Sequence, residues 1–148
     1  MPTAWPKSAR YRFEVRLRPV KRRGKDKRSP EQPGEHDAFG TAVRGLPKGD
    51  WPSPDEVYLA WIRDKLVSNG IIDLEADLHL TKRKRTEIAR RAHDGTGLRH
   101  RIDGPDVVAA GTLRVAQPAD FSAFLARGIG RHKAFGFGMM LLRPAGPR

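Results

Sequence analysis

The sequence predicts an α+β fold, a four-stranded antiparallel sheet with two helices on one of its faces. Three observations carry that expectation. Two stretches, 11–18 and 72–81, alternate apolar and polar residues with period two, as half-buried strands do. Ser53-Pro54-Asp55-Glu56 has the form of a helix start. The predicted elements then run strand, helix, strand, strand, helix, strand.

Each element follows from its residues. In "YRFEVRLR", Tyr11, Phe13, Val15 and Leu17 point one way and Arg12, Glu14, Arg16 and Arg18 the other, until Pro19 ends the strand. The stretch that follows, rich in charge, glycine and proline, predicts a long, mobile basic loop. Phe39 and Val43 mark a short helical turn after Asp37. In the first long helix Ser53 caps, Pro54 fits the first turn and Glu56 completes a capping box. Val57, Tyr58, Trp61, Ile62, Lys65 and Leu66 keep helical spacing, and Gly70 suits the stop. Ile72, Leu74, Ala76, Leu78 and Leu80 then predict one continuous strand. The basic segment after it reads as a loop or the excursion of a hairpin. A strand over 107–115 has Gly111 as a bulge candidate. Pro118 opens a helix carrying Phe121, Phe124 and Leu125, Gly128 closes it, and a last strand runs from Phe135 or Phe137 to Leu142. This is the ferredoxin-like, RNA-recognition-type βαββαβ order. It predicts one domain over 11–144, with basic insertions near 19–50 and 81–105 and tails at 1–10 and 145–148. The face without helices is left free to bind, as RNA-recognition modules use it.

Composition narrows the partner. The 148 residues hold 29 Lys plus Arg against 17 Asp plus Glu, a formal charge of +12. Such an excess favours a polyanion, nucleic acid first and an anionic membrane surface second. There is no cysteine, which excludes disulfides, thiolate metal sites and Cys nucleophiles. No run approaches the roughly 20 apolar residues of a membrane span, and "MPTAWPKSAR" lacks a signal core. A soluble, cytoplasmic protein without a membrane partner is expected.

The segment "GIGRHKAFGFGMMLL" is the most informative. Gly128-Ile129-Gly130, five residues, then Gly136-Phe137-Gly138 fit a Gly-h-Gly-x5-Gly-h-Gly pattern, with h hydrophobic. Glycine tolerates positive φ and lets a ligand approach the main chain, whose N–H groups then form an anion nest. Arg131, His132 and Lys133 stud the loop. The arrangement suits a phosphate backbone.

That spacing resembles the glycine-rich loop of the repeat-associated RNA-binding proteins of CRISPR systems. The surrounding "FLARGIGRHKAFGFGMMLLRP" is similar to the C-terminal end of the CasE-type CRISPR repeat endoribonucleases of type I-E systems. "YRFEVRLRPVKR", "YLAWIRDKL" before Asn69-Gly70, and "GTLRV" occur upstream in the order that family has. The resemblance implies cleavage of precursor CRISPR RNA at the base of a repeat stem-loop, without metal. The 2′-hydroxyl attacks the adjacent phosphate to leave a 2′,3′-cyclic phosphate and a 5′-hydroxyl. It also implies retention on the guide hairpin in a Cascade complex, so the expected partners are the repeat RNA stem-loop and other Cascade subunits. Family chains carry two ferredoxin-like domains, and this sequence matches the second. The family's catalytic histidine and its nearby tyrosine belong to the first, so no position here inherits them. A compact relative, half of a split protein with the missing domain on a separate chain, and a fragment all remain open.

Transesterification needs a base near the 2′-hydroxyl and cations on the phosphate. Histidine suits the base role. Of His36, His79, His93, His100 and His132, the last is the candidate, because Arg131 and Lys133 flank it; His36 follows, and His79 reads as structural. The RNA-binding candidates are Gly128, Gly130, Arg131, Lys133, Gly136 and Gly138, a first basic cluster of Arg18, Lys21 and Arg22 (continued by Arg23), and a second of Lys82, Arg83, Lys84 and Arg85, followed by Arg90 and Arg91. Trp61 reads as core, while Trp5 and Trp51 are free to pack on a partner. No His-x3-His or carboxylate cluster suggests a metal, and no cofactor is expected. Two other functions fit the same residues: a non-catalytic guide-RNA-binding subunit, and a basic RNA-binding protein of ribosomal type.

Overall fold

In the computed structural model, which describes residues 4–23, 34–91, 95, 97 and 99–146, the elements follow in chain order as β1 (Arg10–Leu17), β2 (Val20–Arg23), β3 (Gly34–Asp37), α1 (Ala38–Val43), α2 (Pro54–Val67), β4 (Ile72–Leu74), β5 (His79–Arg91), β6 (Arg99–Val115), α3 (Pro118–Arg127) and β7 (Met140–Pro144). His93 and most of the predicted basic loop lie outside the described residues, as do the side chains of Arg90, Arg91 and His100.

The alternation in β1 does what it predicts. Phe13, Val15 and Leu17 are buried, and the strand becomes the centre of the sheet. It pairs antiparallel with β6 on one side and β7 on the other, and β4 pairs with the far end of β6. The resulting order, β4–β6–β1–β7, is the ferredoxin-like one. Ser53 accepts from the Glu56 N–H and the Glu56 carboxylate accepts from the Ser53 N–H, the predicted capping box. Ile62 and Leu66 of α2, Phe121 and Phe124 of α3, and Val107, Leu113 and Val115 of β6 meet in one core with the β1 side chains. Cutting Ile62 or Leu66 back to Ala would cost about 2–5 kcal/mol. Trp5 belongs to this packing and not to a partner: its ring meets Phe121 and Tyr11 edge-on and its N–H donates to Ser122. Trp51 packs edge-on to Phe39, and its N–H donates to the Leu46 carbonyl.

Three expectations change. The strand expected over 72–81 is broken after Leu74. Asp77 accepts from the Thr112 N–H at 2.8 Å and its hydroxyl at 2.7 Å, taking the place of a strand partner. The chain bulges around that contact and resumes as β5, with a register shift between Leu80 and Lys82. Gly111 is no bulge; it allows the bulge opposite, since a Cβ there would lie 3.2 Å from the Leu78 Cα. The sheet therefore has a fifth strand, because β5 and the first half of β6 run on as a long hairpin arm. The described ends of the basic loop are likewise strands, β2 and β3, paired from Val20↔Asp37 to Arg23↔Gly34. A third helix, α1, follows at the predicted turn, where Asp37 caps by accepting from the Phe39 N–H.

Arg18 is the third change. Expected on the polar face, it is 1% exposed. Its guanidinium donates to the carbonyls of Thr86, on β5, and Ile102, on β6, so it ties the arm to the end of the central strand. Its Nε has no hydrogen-bond partner among the described residues. Burial draws its pKa below the ordinary arginine value against the pull of Glu35, Asp103 and Asp106. The guanidinium lies where Gly104 has no side chain: a Cβ there would sit 2.7 Å from Arg18 Nη2. Gly104→Ala should therefore cost about 1–3 kcal/mol, read as a lower denaturant midpoint. An unchanged midpoint would show that Arg18 does not need that space.

Beside it, Arg16 holds the buried Asp106 carboxylate through Nε at 2.8 Å and Nη2 at 2.5 Å. These hydrogen bonds outweigh burial and keep the Asp106 carboxyl below its ordinary pKa. A lowered folded pKa gives stability that is present above the unfolded value and is lost as pH falls through the folded one. The thermal midpoint should thus drop below about pH 4, and Asp106→Asn, less stable at neutral pH, should drop less steeply.

Candidate nucleic-acid interface

The glycine segment is shaped by its own backbone. Phe121 and Phe124 seat α3 on the core, and the helix stops at Gly128, whose φ is +69°. Ile129 is buried beneath the loop, and its N–H donates to the Gly138 carbonyl at 3.0 Å. The Gly138 N–H donates to the Arg16 carbonyl at 2.7 Å, which fixes the loop to the central strand. At Gly138, where φ is +83°, a Cβ would lie 2.2 Å from the Ile129 carbonyl oxygen, so only glycine fits. Lys133–Phe135 forms one tight turn between the glycine pairs. This turn and the left-handed glycines delay β7 to Met140, later than the predicted start. Phe137 is buried under the Arg16 guanidinium, 4.6 Å from the ring centroid.

Above Gly128 and Gly130 opens a groove of about 680 Å³, walled by β2, the C-terminal halves of α2 and α3, and the loop itself. Lys21, Arg22, Lys65, Arg127, Arg131 and Lys133 face it, against the single carboxylate of Asp64. Lys21 and Arg22 of the first sequence cluster thus meet the first half of the glycine motif in one place. Lys65 and Arg127 were not singled out from the sequence; each sits one helical turn or less from a helix end, which is where a signal for them lay. Glu35 was also missed. Its carboxylate holds both Arg131 Nε and His132 Nε2 at 2.5 Å. Burial raises the Glu35 pKa, but the hydrogen bonds from His132 and Arg131 outweigh it and leave the carboxyl below its ordinary value.

This arrangement changes the expected part of His132. Its side chain is 3% exposed and its Nε2 is engaged by Glu35, so the ring is not presented to a 2′-hydroxyl. His36 lies on β3, and His79 Nδ1 donates to the Asp77 carbonyl at the bulge. The lining of the groove includes no histidine.

The second basic cluster divides along β5. Arg83 pairs with Asp55 at the start of α2. Arg85 bridges Asp103 and the α1 cap, Asp37, which also accepts from the Tyr58 hydroxyl. Lys84 lies 4.0 Å from Asp106, and Lys82 has no ion-pair partner among the described residues. Two of the four are thus occupied within the fold, as Arg18 is; Lys82 and Lys84 remain directed to solvent. The sheet face without helices offers no stacking platform: Tyr11 and Phe13, the only Phe, Tyr or Trp of the strands, pack toward the core. Arg12, Glu14, Leu141 and Arg143 occupy that face instead. Among the described residues no group of three or more His, Cys, Asp or Glu is placed to hold a metal ion, and no helix is long and apolar enough to cross a membrane.

A family model described as "CRISPR associated protein" matches residues 1–144. The chain belongs to that family. No curated sequence matches it significantly. Among solved structures, this CRISPR-associated chain superimposes on a CRISPR endoribonuclease Cse3 bound to a 19-nucleotide RNA, with a TM-score of 0.66 and 23% identity over 97% of the chain and 60% of the relative. Cse3 from Thermus thermophilus, bound to an RNA representing a pre-cleavage complex, gives 0.62 at 19% identity over 97% and 58%. Cas6e from Escherichia coli K-12 gives 0.54 at 17% over 98% and 65%. The chain thus shares their fold and spans about three-fifths of their length.

Gly138 and Gly136 provide a test of the loop. Both have φ of +83°, but a Cβ at Gly136 meets open space. Gly136→Ala should cost the left-handed penalty alone, about 1–2 kcal/mol, and Gly138→Ala distinctly more. Equal losses in chemical denaturation would mean that the Ile129 contact does not constrain the loop.

Proposed function

We propose that this CRISPR-associated protein binds the repeat stem-loop of precursor CRISPR RNA and takes part in its metal-independent cleavage, then holds the hairpin end of the guide within a Cascade-type complex. One observation carries the reading: a loop of left-handed glycines borders a cationic groove, in a chain of this family and this fold. Gly128, Gly130, Gly136 and Gly138 shape the phosphate cradle. Lys133, Lys21 and Arg22 line the RNA path together with Lys65 and Arg127, and Lys82 and Lys84 extend it along the arm. Arg131 shapes the loop more than it contacts phosphate, because Glu35 already occupies it. The chemistry supplied by these groups is orientation and charge stabilisation. Partners are the repeat RNA and other Cascade subunits, with a separate chain supplying a further domain where cleavage needs one.

Hairpin affinity should exceed that for unpaired RNA of equal length. Lys133→Ala should weaken both and lower the salt slope by about one. Equal affinity for the two RNAs would end the recognition reading.

A second reading, a non-catalytic guide-RNA-binding subunit, is favoured by the burial of His132. The full chain incubated with repeat RNA in EDTA separates the two. Products with a 2′,3′-cyclic phosphate and a 5′-hydroxyl support cleavage; intact but bound RNA supports the second reading.

A further inference from the structure

The glycine loop is held from two directions. On its inner side are the backbone bonds from Ile129 to Gly138 and from Gly138 to Arg16. On its outer side is a single carboxylate, Glu35 of β3, nearly one hundred residues away in sequence, with one oxygen on Arg131 and the other on His132. The carboxylate is 13% exposed, so the pair of bonds is screened little by water. His132 has a φ of +62°, a left-handed conformation that is unfavourable for a non-glycine residue and persists where its surroundings impose it. Its ring meets that condition by bonding to Glu35.

Charge alone argues against a carboxylate here. Arg22 stands opposite Glu35 in the β2–β3 register, Arg18 feels its field, and Arg131 is neutralised by it. A site that merely collected phosphate would be stronger without it. We propose that Glu35 is a positioning residue, whose two oxygens clamp Arg131 and His132 so that the glycine loop has its RNA-binding shape before RNA arrives. Hairpin recognition then depends on the shape of the loop more than on the charge the clamp consumes. This deepens the RNA reading of the groove and rests on it.

The two views predict opposite signs. Glu35→Gln adds one net positive charge and keeps the side-chain volume. If charge dominates, every RNA binds it more tightly. If the clamp positions the loop, repeat-hairpin affinity falls about tenfold while unpaired RNA binds as well as before or better, because Arg131 is released to phosphate. The experiment titrates the full chain and Glu35→Gln with both RNAs, and follows hydrogen exchange of the loop amides from Gly130 to Gly138 without RNA. Faster loop exchange with unchanged amides in α2 and β6, together with the selective loss of hairpin affinity, supports the clamp. Unchanged or tighter hairpin binding, or unchanged loop exchange, overturns it. Should Glu35→Gln not fold, Arg131→Gln and His132→Gln break the clamp from its other side and must give the same loop exchange. Should the unaltered chain show no hairpin preference, the RNA reading fails, and loop exchange alone still decides whether Glu35 holds the loop.

Discussion

The Gly138 N–H bond to the Arg16 carbonyl is the contact on which the site depends. It places a chain segment with no side chain against the central strand, close enough that the neighbouring Ile129 carbonyl occupies the space a Cβ would need. That approach fixes where the loop leaves the core, and so where the groove opens. The flexible residues are pinned at both ends by main-chain bonds and buried side chains, Ile129 below and Phe137 beside. Glycine lets the two strands of backbone come together here; the packing around them then removes the freedom that glycine brings.

Among the described residues, arginines make most of the ion pairs within the fold. Arg10, Arg16, Arg18, Arg83, Arg85 and Arg131 are engaged within the fold, several through two bonds to one carboxylate. A planar, five-donor guanidinium suits such fixed pairing. Lys21, Lys82 and Lys133 remain exposed. Part of the positive charge therefore builds the protein, while Lys21, Lys65 and Lys133, with Arg22 and Arg127, face the groove.

Local signals were legible where the interaction is local. The capping box at Ser53 and Glu56, the period-two pattern of β1 and the glycine at the end of α3 each involve neighbours within a few residues, and each element stands where its residues place it. The left-handed turns at the glycine motif are local in the same way. What could not be read lies in contacts between distant residues. Nothing beside Asp77 announces that its carboxylate will take the Thr112 amide and break a regular strand. Arg18 continues a polar alternation, yet the space left by Gly104 and two carbonyls on the arm draw it inside. Glu35 sits in a basic stretch as an unremarked acid, and only the fold brings its carboxylate to the His132 Nε2.

The position of β1 also sets the order in which the protein can be assembled. Its two partners in the sheet are β6 and β7, so this strand pairs with strands made roughly 90 and 130 residues later. The local helices can form early, but the centre of the sheet must wait for the closing segment, and contacts so distant in sequence make for slow folding. During synthesis one edge of β1 therefore stays unpaired until the residues after Gly138 have left the ribosome, a period in which a chaperone or an early partner would find it open. The glycine loop is then among the last of the described parts to take shape, and its completion coincides with closure of the sheet.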